Sequence, residues 1–257
     1  MSEHILFTGL TGAIGQPLAA KLLARPELCQ LTAVVRSPAD IEAISGALTR
    51  IQPNANLAKL KIVPGDLEEP KLGLKSAARN HLPVTGIIHS GAVTKFKAAE
   101  GQWARVNVDG TRSLLDWREA NCPQSRFIHL STLCAAGKSM GLIPEQPLQR
   151  PVGFVNGYEA SKWEAEQLVQ SAGGDRAIVR LATVVGSHKD GSLGRIGAFH
   201  HVLRWVYHGL LPLIPGDQQT RLDLIPTEFV TEGVCRLLDR PPADALSFHH
   251  FSRGHAS

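Results

Sequence analysis

Brief apolar runs alternate with stretches of helical periodicity along most of this 257-residue chain. Residues 5–7 (ILF), 30–36 (QLTAVVR), 59–63, 86–92, 126–130 (RFIHL) and 176–181 are short, mainly apolar and bounded by turn residues, the pattern of strands buried on both faces. Residues 13–24, 41–51, 72–82, 102–121 and 158–171 read as the helices between them. In the first, Ile14, Leu18, Leu22 and Leu23 share a face; in 102–121, Val106, Leu114, Leu115 and Trp117 recur at core spacing. Past residue 186 the rhythm changes. Residues 187–197, rich in Gly and Ser, read as a mobile loop able to close over a ligand. A helix over 196–211, a strand over 222–225, a helix over 227–238 capped by Thr227 and a last strand over 246–251 follow.

The first strand runs into its helix through Thr8-Gly9-Leu10-Thr11-Gly12-Ala13-Ile14-Gly15. Glycine at 9 and 12 lets the backbone bend and come close to a pyrophosphate, Gly15 lets helix and strand pack, and the helix N-terminus offers amide hydrogens to an anion. The spacing is G-x-x-G-x-x-G, so a plain strand-to-helix turn is a rival reading of the segment alone. With the alternating elements it predicts an α/β, Rossmann-type doubly wound parallel sheet with a small C-terminal substrate-binding portion. One domain is expected, with a dinucleotide-binding core over 1–186 and a partial substrate region over 187–257 interleaved with the late core strands.

Composition narrows the partners. A net charge of +4, with Lys and Arg scattered, gives no stripe to track a nucleic acid. Cys29, Cys122, Cys134 and Cys235 stand far apart, which predicts neither a metal site nor a disulfide framework but small buried side chains. No apolar run approaches the roughly 20 residues of a membrane span, and the first strand starts beside Met1, so a soluble cytoplasmic protein is expected.

Further candidates sit at strand ends, where open α/β sheets bind ligands. Arg36, where an acidic residue would hold a ribose hydroxyl, favours a 2′-phosphate and hence NADPH; a solvated arginine fits the same position. Asp66 either accepts from an adenine amine or caps a turn. Gly91 and Ala92 leave bare backbone for a ribose and phosphate. His89 reads as a satisfied core histidine. Asn107 either points inward to tie the sheet's end to a water or carbonyl, or faces solvent. Ser131 and Thr132 close the fifth strand, where either hydroxyl meets a substrate oxygen. Tyr158 and Lys162, at i and i+4, share a helix face, and an ammonium beside a phenol lowers a pKa of about 10 toward the working range.

The segments 8–15, Gly65-Asp66-Leu67, His89-Ser90-Gly91-Ala92, 107–111, 129–132 and 158–162 resemble the extended short-chain dehydrogenase/reductase family over residues 5–251. Within it they are most similar to the male sterility-type NAD-binding branch of fatty acyl-CoA reductases and thioester reductase domains, on Val35-Arg36, residues 89–92 and Asp223-Leu224-Ile225-Pro226. The resemblance implies that Thr132 positions a carbonyl oxygen, Tyr158 protonates it, and Lys162 lowers the tyrosine pKa while holding the nicotinamide ribose. It implies NADP(H) contacts from Thr8, Gly9, Thr11, Gly12, Ala13, Ile14, Gly15, Arg36, Asp66, Leu67, Ser90, Gly91, Ala92, Asn107, Tyr158 and Lys162. Leu181, Ala182, Thr183 and Val184 pass the nicotinamide, with Leu181 where relatives carry proline.

The implied reaction is NADPH-dependent reduction of an acyl thioester, on coenzyme A or a carrier protein, to an aldehyde or alcohol. Three alternatives stay open: a carbonyl or hydroxysteroid-type reductase, a nucleotide-sugar epimerase or dehydratase, and a non-catalytic dinucleotide sensor. Similar chains continue into more substrate-binding helices, which implies either an open pocket or a shortened chain, and the family analogy adds a homodimer. Phe199, Val202, Leu203, Val206 and Leu210 line an acyl channel or pack into the core, the commoner use of such a stripe. Arg204 and His208 meet a pantetheine phosphate or form a solvated face.

Overall fold

The structure, a computed structural model, describes residues 3–37, 41–74, 84–95, 98–194, 196–211, 217 and 221–254. Strands β1 (Glu3–Thr8), β2 (Leu28–Val35), β3 (Leu60–Pro64), β4 (Gly86–His89), β5 (Arg126–Thr132) and β6 (Arg176–Leu181) alternate with helices α1 (Gly15–Leu23), α2 (Ile41–Ile51), α3 (Gly110–Asn121) and α4 (Gly157–Ser171). Then come β7 (Thr183–Val184), α5 (Ala198–Tyr207), β8 (Leu224–Ile225), α6 (Thr227–Leu238) and β9 (Leu246–Phe251). Among the described residues the main sheet has seven parallel strands in the order β3-β2-β1-β4-β5-β6-β9, and β7 pairs with β8 outside it. The order reverses between β1 and β4, which opens a crevice at the carboxyl ends of those strands, where doubly wound sheets bind ligands.

Strand alternation sends neighbouring residues into different layers. Phe7, Ile88 and Ile128 pack with Leu18, Leu22, Leu48 and Val230 on the α1, α2 and α6 side. Leu6, Ile87 and Phe127 pack with Leu114, Trp117 and Val169 on the α3 and α4 side.

Several expected elements are redrawn. α1 begins at Gly15 because 9–12 form a turn closed by Gly12 N–H to the Gly9 carbonyl at 3.0 Å. The helix expected over 72–82 falls partly at 75–83, outside the described residues. Its described start, Pro70–Gly73, is a short 3-10 turn with Lys71 and Leu72 at φ 54° and 62°. Leu72 is driven into the core there, and its carbonyl accepts from Asp66 N–H at 3.0 Å. The helix over 102–121 begins as a wider π turn, Ala104–Asp109, that continues as α3. Thr227 is not a cap: Pro226 flanks α6, and the Thr227 N–H goes to the Gly186 carbonyl at 2.8 Å. Of the cysteines expected inside, Cys235 is buried and Cys122 half-buried, but Cys29 and Cys134 are exposed. Cys29 lies at the start of β2, before its pairing with β3 begins at Leu31, and Cys134 lies in the turn after β5. No described helix is long and apolar enough to cross a membrane.

His89 ends β4 inside the protein. Its Nδ1 lies 2.8 Å from Thr8 Oγ1 and its Nε2 2.9 Å from Thr111 Oγ1, so one imidazole joins β1, β4 and α3. Burial pulls its pKa to about 3, and the Lys162 charge adds to the effect.

Two predictions follow from this packing. A Cβ on Gly15 would lie 1.9 Å from the Gly9 carbonyl oxygen, whereas one on Gly46, inside α2, meets nothing within 4 Å. Gly15→Ala is expected to cost at least about 3 kcal/mol, and Gly46→Ala to stabilise by about 0.5–1 kcal/mol, both read by urea unfolding. His89 binds a proton near the ordinary histidine value of 6.5 in the unfolded chain but only near 3 in the folded one, so unfolding takes up a proton between those values. The stability it contributes is complete above 6.5 and is lost as pH falls toward 3. The melting temperature is therefore expected to be lower at about pH 5 than at about pH 7.5, and the drop smaller in His89→Gln.

Candidate active site

The crevice is built by backbones that approach without side chains between them. Gly9 sits at φ +85°, and a Cβ there would lie 2.6 Å from the Gly91 nitrogen and 2.7 Å from the Ser90 carbonyl oxygen. A Cβ on Gly91 would lie 2.9 Å from Leu67 Cδ1 and 3.2 Å from Thr8 Oγ1. The turn after β1 and the loop after β4 thus form one wall. Thr8, Gly9, Thr11, Gly12, Arg36, Asp66, Leu67, Ser90, Gly91 and Ala92 all line this cleft. Arg36 is exposed at its rim, and Asp66 also holds its own turn by accepting from Glu68 N–H at 3.1 Å.

Leu10, Val34, Val35, Gly65, Val93 and Val106 line the cleft as well and escaped sequence reasoning. Gly65 carried a readable signal: a side chain there would meet the Leu72 carbonyl oxygen at 2.6 Å and Val34 Cγ1 at 2.7 Å. Other sequence candidates stand off the cleft lining. Ile14 packs on the core, while Ala13 faces the later loop, where a Cβ on Gly194 would lie 3.4 Å from the Ala13 carbonyl oxygen. Leu181 is a core residue at the end of β6. Ala182 donates to the Phe251 carbonyl at 2.9 Å, Thr183 is exposed, and Val184 packs partly buried against the core from β7.

Asn107 ties the cleft to a second group of side chains. The π turn directs it inward, where Val93 N–H donates to its Oδ1 at 2.8 Å and its Nδ2 donates to the Val93 carbonyl at 3.1 Å and Ser161 Oγ at 2.9 Å. Ser161 belongs to α4, between Tyr158 and Lys162. The start of α4 is fixed by Asn156, whose Oδ1 accepts from Glu159 N–H at 3.0 Å, and by Gly157, which leaves room for the Trp103 ring.

Thr132 ends β5, and its Oγ1 accepts from Cys134 N–H at 3.2 Å. The Tyr158 phenol lies close enough to the Thr132 side chain for the two to interact. Burial pushes the phenol pKa up, as does Cys134, while the Thr132 side chain opposes them. Lys162 is buried, and its Nζ donates to the Leu130 carbonyl at 2.8 Å and lies 3.1 Å from His129 Nε2. Burial pulls its pKa to about 8 against the opposing charge of Glu166. The resemblance implied a tyrosine pKa lowered by Lys162; here burial dominates and the phenol holds its proton more tightly.

Ser131 is not available to a ligand. It is buried and donates to Glu166 Oε1 at 2.5 Å, and Glu166 in turn pairs with Arg180 Nη2 at 2.8 Å, both side chains fully enclosed. Arg180 also donates to the Gln146 carbonyl at 3.1 Å and covers the Phe248 ring at 5.0 Å.

In the region beyond β6 the first residues of the loop over 187–197 are anchored to α6: Ser187 Oγ donates to Glu228 Oε1 at 2.6 Å and His188 N–H to Oε2 at 3.1 Å. Although burial opposes ionisation of Glu228, these hydrogen bonds hold its pKa at about 2. The apolar stripe of α5 does not pack into the core. Val202, Leu203 and Val206 remain 39%, 49% and 38% exposed, Leu210 beyond the helix is 66% exposed, and only Phe199 is partly buried. Arg204 and His208 are exposed too.

Comparison with known proteins places this arrangement. An NAD-binding family described as male sterility protein matches residues 7–234. An isonitrile lipopeptide synthase of Streptomyces coeruleorubidus is 30% identical over 96% of this chain, which spans only 17% of that synthase. The terminal R domain of the myxalamid PKS-NRPS pathway superposes with a TM-score of 0.84 at 25% identity, over 98% of this chain and 66% of that one. MoeE5, solved with UDP-glucuronic acid and NAD, shares the fold with a TM-score of 0.71 at 22% identity, over 98% of this chain and 77% of that one. The family and the cleft agree on the ligand class, a nicotinamide dinucleotide. The chain belongs to the NAD-binding male sterility protein family.

Proposed function

We propose that this chain is an NADPH-dependent reductase that takes an acyl thioester, presented on coenzyme A or a carrier protein, to the aldehyde or alcohol. The observation that carries the reading is the meeting of Thr132 and Tyr158 at the end of β5, beside buried Lys162 and joined through Asn107 to the glycine-walled cleft. The likeness to the R domain supports the substrate class.

The cleft suits the cofactor. Its backbone wall leaves no room for side chains at Gly9 and Gly91, and Arg36 lies where it would pair with a 2′-phosphate. Gly9, Thr11 and Gly12 would hold the pyrophosphate, Asp66 and Leu67 the adenine side, and Ser90, Gly91 and Ala92 the central riboses. Tyr158 and Lys162 would hold the nicotinamide ribose. Bound NADPH supplies the hydride. Thr132 Oγ1 and Tyr158 Oη orient the thioester carbonyl by hydrogen bonds to its oxygen. The half-buried phenol keeps its proton until negative charge develops on that oxygen, then donates it from Oη. Lys162 Nζ, one turn along, stabilises the phenolate left behind. That phenolate takes the hydroxyl proton back as the C–S bond breaks and hands it to the departing thiolate, giving aldehyde and free thiol.

The test supplies a long-chain acyl-CoA with NADPH or NADH and follows both cofactor oxidation and thiol release. NADPH oxidation with matching thiol release is expected, with NADH slower and the preference reduced by Arg36→Asp. Tyr158→Phe is expected to lose about 100-fold or more of the rate while NADPH still binds. Reduction of aldehydes or ketones with inert thioesters would instead assign a carbonyl reductase, and an unchanged Tyr158→Phe rate would remove the proton donor assigned here.

A further inference from the structure

We propose that His129 is a positioning residue for Lys162, receiving one of its ammonium N–H groups at Nε2 while the Leu130 carbonyl receives a second, so that the third is aimed at a bound ligand or at Tyr158. This rests on the reading of Lys162 as part of a dinucleotide site, and it adds a residue of β5 to which neither the motif nor the resemblance gave a role.

The geometry is specific. His129 Nε2 lies 3.1 Å from Lys162 Nζ and the Leu130 oxygen 2.8 Å from it. Relative exposures of 1% and 3% leave water no part in the contact. An ammonium has three donors and no acceptor, so Nε2 must accept and the imidazole proton must sit on Nδ1. Nδ1 is buried and meets no hydrogen-bonding partner among the described residues. An orphaned donor is costly, and here it is the consequence of presenting Nε2 to the lysine.

The surroundings explain why a neutral acceptor is used. Glu166, one turn along α4, is the nearest anion, but Ser131 and Arg180 occupy both its oxygens. His89 on β4 lies tilted against the His129 ring, 5.2 Å between centroids, and is engaged by Thr8 and Thr111. Tyr158 lies one turn back on α4, near Thr132 and Cys134. Arg180 on β6 is held by Glu166 and His250. Burial and the Lys162 charge keep His129 itself neutral, and burial leaves Lys162 at the edge of ionisation, about 8. The Leu130 and His129 acceptors favour its charged form. Without His129 that form is weakened, and the lysine loses its proton at lower pH.

Three measurements on the whole chain test this. In the cofactor-free protein, long-range proton–nitrogen correlation should show His129 neutral with its proton on Nδ1 near neutral pH, and Lys162→Met should change that pattern. A proton on Nε2, or no response to Lys162→Met, overturns the proposal. NADPH affinity, followed by fluorescence against pH, should weaken above about 8 as Lys162 deprotonates. In His129→Leu that midpoint should move down by about one pH unit, and His129→Gln, which keeps an acceptor oxygen, should restore it. A uniform loss of affinity with an unmoved midpoint marks a merely structural residue and overturns the proposal. If His129→Leu does not fold, the tautomer and the His129→Gln midpoint, expected at the wild-type pH, still decide. A moved midpoint in a chain inert toward thioesters would sink the substrate reading and leave this one standing; thioester reduction with an unmoved midpoint would do the reverse.

Discussion

The site depends on a steric condition: the backbone after β1, the backbone after β4 and the first turn of α1 lie too close for any side chain between them. Gly15 is closed off by the Gly9 carbonyl, and Gly9 by Ser90 and Gly91. Removing Cβ atoms at these contacts lets the carboxyl ends of two parallel strands splay into a crevice. The reversal of strand order at β1 and β4 puts that crevice in the middle of the sheet, and the layers of helices hold it open.

A second condition concerns charge. The protein encloses two cations and one anion next to the reactive groups, and it resolves the desolvation cost unevenly. Glu166 and Arg180 neutralise each other completely, with Ser131 taking a remaining lone pair. Lys162 is left with a carbonyl and an imidazole, acceptors without charge, and burial brings its pKa down to about 8. Tyr158 is pushed the opposite way by the same burial. A phenol that holds its proton and an ammonium that holds its own loosely stand one helical turn apart.

Much of the fold was legible because buried parallel strands are written as apolar runs, and β6, α2, α6 and β9 fall where the pattern placed them. The cleft wall was legible for a similar reason, since glycines at strand ends mark close backbone approach. Asn107 illustrates the boundary. Its inward aim was one of two readings, and only the π turn, invisible in the sequence, selects it. Ser131 and Thr132 looked equivalent as a pair of hydroxyls, but successive strand residues face opposite ways, so one is consumed by Glu166 and the other meets Tyr158. The stripe on α5 shows the converse failure. Amphipathic spacing says that a helix has an apolar face, never what lies against it, and here that face is largely open. The His129 contact lay beyond reach because it joins residues 33 apart in sequence through the register of β5 against α4.

The central claim is that the glycine cleft and the Tyr158–Lys162 pair belong to one ligand. A crystal structure of the protein with NADPH tests it most directly. The account predicts the pyrophosphate against Gly9 and Gly12 with the nicotinamide beside Tyr158 and Lys162; a ring lying away from that pair, or a pyrophosphate outside the cleft, would contradict it.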